Sequence, residues 1–69
     1  MMNTEDAIMS ILRNSVISLT PDEVSGKAGL SMPATLKCLG RLEARGLAEK
    51  RMPGGVTLYT VKGRRRSLV

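Results

Sequence analysis

Histidine, phenylalanine and tryptophan are missing from this chain, and cysteine and tyrosine occur once each. A lone Cys38 rules out a disulfide framework within one chain, and without histidine a Cys/His zinc site is ruled out as well. Cys38 reads as a small apolar core residue in a reducing compartment rather than a redox centre. With no histidine, one such cysteine and scattered carboxylates, the sequence offers no nucleophile–base pair. No enzymatic activity, cofactor or metal is therefore expected. No segment approaches the roughly 20 apolar residues that span a bilayer. The N-terminus carries Glu5 and Asp6 where a secretory signal would be basic. These absences point to a cytoplasmic protein without a membrane partner.

The chain has 69 residues, which suits a single domain. Its core must come from Leu, Ile, Val, Met and Ala. Eleven Lys and Arg oppose six Asp and Glu, for a formal net charge of +5. The bases concentrate after residue 37, and a basic pole on a small domain favours a polyanionic partner. A basic surface kept only for solubility is the plainer reading of the same charges.

Local signals divide the chain into elements. Asn3 or Thr4 can cap a first helix over about 4–14, with Glu5 and Asp6 in its first turn and Ile8, Ile11 and Leu12 at helical spacing. The short run Val16, Ile17, Ser18 and Leu19 opens on two β-branched residues, and is expected to pair as a small strand with a later hairpin. Thr20, Pro21 and Glu23 form a helix start with a capping box, so a second helix covers 21–28. Gly26 inside it suggests either close approach of the next helix or a tolerated weak helix. Gly29 suits a left-handed helix end, Leu30 plugs the turn and Ser31 caps a third helix that runs from 32 to about 45 and ends at Gly46. Residues 47–51 read as a strand, 52–55 as a tip and 56–61 as the return strand.

At about 100° per residue, Thr35, Cys38, Leu39 and Leu42 make the core stripe of the third helix. Pro33, Lys37, Arg41 and Ala44 lie broadly opposite. Lys37 and Arg41 stand one turn apart and can reach one groove. Ser31, Pro33 and Ala34 occupy the helix start, where Ser31 and nearby N–H groups can hold a phosphate. Leu36 is expected to pack on the end of the first helix; contact with a thymine methyl or with a second subunit are the alternatives. In the hairpin, Lys50 and Arg51 alternate across the strand, and Gly54 and Gly55 allow a tight reversal that also brings backbone near a groove. Lys62, Arg64, Arg65 and Arg66 form a basic, aperiodic tail that can grip phosphates or serve no binding role.

Three helices and a hairpin in this order make an α+β winged helix-turn-helix with a two- or three-stranded antiparallel wing sheet over residues 1–62, followed by a flexible tail at 63–69. The stretch AGLSMPATLKCLGRLEARGLAEKR resembles the helix-turn-helix core of MarR-like and DtxR-like regulators, whose pattern ends in Leu-Glu-x-x-Gly-Leu and a basic strand. Here that ending is Leu42-Glu43-Ala44-Arg45-Gly46-Leu47. In length, and in Leu58-Tyr59-Thr60-Val61-Lys62-Gly63, the chain is similar to the small FaeA/PapI-like regulators. The resemblance covers about residues 5–62 and implies sequence-specific binding of double-stranded DNA and transcriptional control. By position, the DNA-facing residues it implies are Ser31, Pro33, Ala34, Lys37 and Arg41, with Lys50, Arg51, Gly54 and Gly55 in the wing. The sequence departs from the pattern in having neither the dimerisation helices nor the metal sites of the MarR-like and DtxR-like proteins. It also lacks the recognition-helix aromatic on which left-handed nucleic-acid binders of this fold rely.

The leading expectation is thus a small transcriptional regulator that is nearly all winged helix, with its third helix in the major groove and its wing on the flanking backbone. It would be nucleoid-associated when bound. Reversing the charges of Lys37 and Arg41 is expected to abolish binding and leave the fold intact. A homodimer, through Met9 and the N-terminal methionines, or a protein partner would lengthen the site read. The alternative is a winged-helix protein-interaction module in which Leu36, Met32 and the methionines form the contact patch.

Overall fold

The computed structural model describes residues 3–63. Helices α1 (Thr4–Arg13), α2 (Pro21–Ala28) and α3 (Met32–Ala44) precede an antiparallel hairpin of β1 (Ala48–Arg51) and β2 (Leu58–Val61). Lys50 stands opposite Tyr59, and Ala48 opposite Val61. This is a winged helix-turn-helix, as the order of sequence signals predicts.

Side chains written into the sequence set the helix ends. Asn3 Oδ1 accepts from the Asp6 N–H at 2.8 Å and caps α1. At α2, Thr20 Oγ1 accepts from Glu23 N at 3.2 Å, while Glu23 Oε1 accepts from Thr20 N at 2.8 Å. These reciprocal bonds satisfy two donors that the first turn otherwise leaves without partners. Gly29 ends α2 at φ 70°, and the Ser25 hydroxyl donates to Leu30 O at 2.6 Å across the turn. Gly46 ends α3 at φ 76°: its N–H donates to Glu43 O, and the Leu47 N–H donates to Leu42 O at 2.9 Å. Both glycines occupy the left-handed region that a Cβ disfavours.

Ile8 and Leu12 from α1, Val24 from α2, Cys38, Leu39 and Leu42 from α3, and Leu19, Ala48 and Tyr59 close one core. Thr35 is fully buried with them, its hydroxyl donating to Ser31 O at 2.9 Å. A buried hydroxyl without a partner costs roughly 1–3 kcal/mol, so this bond is what allows threonine on the core stripe.

Several expectations are corrected. Residues 16–19 form no strand: the chain bends at Val16 and Ile17, which are 88% and 64% exposed. Only Leu19 meets β2, exchanging two bonds with Tyr59 at 2.9 and 2.7 Å. The return strand starts at Leu58 rather than at 56, because a 3₁₀ turn at Pro53–Gly55 occupies the tip and the Val56 N–H donates back to Pro53 O. No heavy atom outside the local helix lies within 4 Å of a Cβ placed on Gly26. Gly26 therefore marks a tolerated weak helix and not a close crossing. Leu36, expected to pack on the end of the first helix, is 46% exposed and stands outside the core. Met9 is buried in the core and cannot be the apolar centre of a self-association surface.

Candidate nucleic-acid interface

The core stripe of α3 turns Pro33, Ala34, Leu36, Lys37 and Gly40 to solvent. Lys37 has no acidic partner among the described residues and presents its ammonium from the middle of this face. At the helix start the Ser31 hydroxyl accepts from Ala34 N at 3.3 Å, so one of the N–H groups expected to bind a phosphate is already engaged. Pro33 has no N–H to give. Of the first three helical residues, this leaves the Met32 N–H for an outside acceptor. An anion there would depend on side chains more than on the helix terminus.

Arg41 is placed differently from Lys37. Its Nε donates to Glu5 Oε2 at 2.8 Å, and Arg45 Nη1 donates to Glu5 Oε1 at 2.5 Å. One carboxylate on α1 thus holds both Arg41 in the last turn of α3 and Arg45 at its C-cap. The expectation that Arg41 can be reversed without structural consequence is corrected: a carboxylate at position 41 would face Glu5 and lose the ion pair. Next to this cluster, burial pushes the Cys38 thiol above its ordinary pKa; Glu5 adds to the rise, while Arg41 opposes it through its charge and a hydrogen bond. The protonated, fully buried thiol matches the apolar core role read from its spacing.

In the wing, β1 packs beside α3. Lys50 and Arg51 are both exposed, and strand alternation sends them to opposite faces. Arg51 Nη2 lies 3.4 Å from Glu49 Oε2. Gly54 and Gly55 have φ of 59° and 84°, so the tip uses the left-handed freedom of both glycines and carries no side chain there. Lys62 is exposed just past β2, where its N–H donates to Leu47 O. Arg64, Arg65 and Arg66 lie outside the described residues.

The structure thus leaves Pro33, Ala34 and Lys37 exposed on α3, with Ser31 exposed as the N-cap before it, and sets the strand carrying Lys50 beside that helix. It ties Arg41 to α1. Glu5 and Arg45 are the participants that sequence reasoning missed. Glu5 registered only as a favourable acid in a first helical turn. Its partners lie 36 and 40 residues away, beyond any local pattern.

No family model matches the chain, and no curated protein matches it. Among solved structures it is similar to the ferric uptake regulator Fur of Helicobacter pylori, described as having three functional metal-binding sites. The TM-score is 0.81 at 16% identity, over 91% of this chain and 46% of that one. The chain thus spans about half the length of that neighbour. At this identity the likeness establishes the winged-helix fold; it does not extend to the MarR-like, DtxR-like or FaeA/PapI-like details of the sequence. Among the described residues, no three His, Cys, Asp or Glu side chains gather where they could hold a metal ion. No described helix is long and apolar enough to cross a membrane.

Proposed function

We propose that this chain is a small transcriptional regulator that binds double-stranded DNA in a sequence-specific manner, with α3 in the major groove and the wing on the flanking backbone. The observation that carries the reading is Lys37, exposed on the face of α3 opposite the core and without an acidic partner among the described residues, on a helix packed beside a basic hairpin whose tip is Gly54-Gly55. A helix of this kind fits the major groove, and a narrow hairpin tip fits the flanking phosphates. The proposed contacts are Ser31, Pro33, Ala34 and Lys37 from the helix, Lys50, Arg51, Gly54 and Gly55 from the wing, and Lys62, Arg64, Arg65 and Arg66 beyond it; Arg41, expected among them from the sequence, is instead held by Glu5. The net charge of +5 supplies the long-range attraction. No metal, cofactor or catalysis enters this mechanism, and the site of action is the cytoplasm.

Selection of duplexes from a random pool, followed by a salt titration of the winning site, tests the proposal. With about five phosphates neutralised, log K should fall against log salt with a slope near −4.5. A flat response rejects DNA binding. Lys37→Glu should abolish binding to the selected site and leave the circular dichroism unchanged; survival of binding would show that α3 is not the reader. The length of the footprint separates a monomer on one half-site from a dimer on an inverted repeat.

A second reading rests on Leu36, Met52 and Val56, all large, apolar and exposed. A winged-helix protein-interaction module would use these side chains, and it would fail to retain any duplex at moderate salt.

A further inference from the structure

Glu5 is the feature of the molecule that a DNA-binding reading leaves unexplained. An acid beside the helix that carries Lys37 weakens the attraction of a duplex, yet here one carboxylate engages two arginines at once. The Glu5 side chain is 22% exposed and lies beneath guanidinium groups whose side chains are 54% and 61% exposed. The three groups together carry a charge of +1 where the arginines alone would carry +2. The pair of Arg51 with Glu49, by contrast, lies within β1.

Resting on the proposed DNA interface, we propose that Glu5 is a specificity-determining positioning residue: it withholds Arg41 and Arg45 from the phosphates of any duplex. Phosphate contacts dominate non-specific affinity and carry no sequence information. Each arginine held by Glu5 removes one such contact. The balance of binding then moves toward Lys37 and the start of α3, where base edges are within reach. The fold retains the arginines because their stems and charges hold α1 against α3, and Glu5 keeps that structural role from becoming indiscriminate adhesion.

The test compares wild type, Glu5→Gln, Arg41→Gln/Arg45→Gln and the triple variant, by fluorescence anisotropy on the selected duplex and on a random-sequence duplex across a range of salt. Glu5→Gln should bind both duplexes more tightly, with the larger gain on random sequence. Its log K against log salt should be steeper by about 1.8, the increment for two further phosphates. The triple variant should lose that gain, whereas Arg41→Gln/Arg45→Gln alone should keep the wild-type slope. An unchanged slope in Glu5→Gln overturns the proposal. So does a slope shallower by about 1.8 in Arg41→Gln/Arg45→Gln, which would place both arginines on phosphates already; this arm needs no folded Glu5→Gln protein. In either case wild-type binding and its loss in Lys37→Glu leave the DNA reading standing. Failure of wild type to bind any duplex overturns both.

Discussion

At the residue scale, two glycines that look alike in the sequence do opposite work. Gly29 takes φ 70° to end α2, whereas Gly26 sits inside the same helix with ordinary backbone and open space around it. Gly26→Ala should therefore raise stability by about 1 kcal/mol, the difference in helix propensity, read as a higher denaturant midpoint with an unchanged slope. A drop in midpoint would show that the glycine is required by something other than the helix. Gly29→Ala would bring a left-handed residue with a Cβ, and the gain in propensity could not offset that strain.

At the element scale, α2 depends on its ends. It has eight residues, among them Pro21, Val24, Ser25 and Gly26, so little intrinsic helicity supports it. Its capping box supplies what propensity does not. Thr20→Ala removes the acceptor for the Glu23 N–H and should cost about 1 kcal/mol. Hydrogen exchange should show this as faster exchange in the first turn of α2 before α1 or α3 responds. Equal acceleration in all three helices would mean that α2 has no independent opening. The elements themselves were largely legible from sequence because their signals are local. Thr20 and Ser31 cap as their positions predict, Asn3 rather than Thr4 caps α1, and Gly46 ends α3. Residues 16–19 misled because β-branched side chains signal an extended chain without naming a partner, and here a bend leaves only Leu19 in reach of β2. The Arg41 assignment suffered likewise: a helical wheel places it opposite the core but cannot see Glu5 on another helix.

At the scale of the whole molecule, three helices and one hairpin share a single aliphatic core, so no part can lose its packing privately. A domain of this size has a total stability on the order of 3–10 kcal/mol. Leu39 is fully buried at the centre of α3. Leu39→Ala should cost roughly 2–5 kcal/mol, a large share of that total, and should unfold helices and hairpin in one transition followed by circular dichroism. A small loss would place the central packing elsewhere. Core and reading face are set by the same helix, which explains why its apolar spacing foretold Thr35, Cys38, Leu39 and Leu42 as buried and Lys37 as exposed.

The bond pair between Leu19 and Tyr59 has one more consequence. Tyr59 is the molecule's only aromatic residue, buried where β2 meets the chain leading into α2. Its ring is thus a native optical label at the seam between hairpin and helices. Near-ultraviolet absorption and emission follow the seating of the wing, while far-ultraviolet dichroism follows the helices. Two spectroscopic channels of the unlabelled protein can therefore time the wing's release separately from the melting of the bundle.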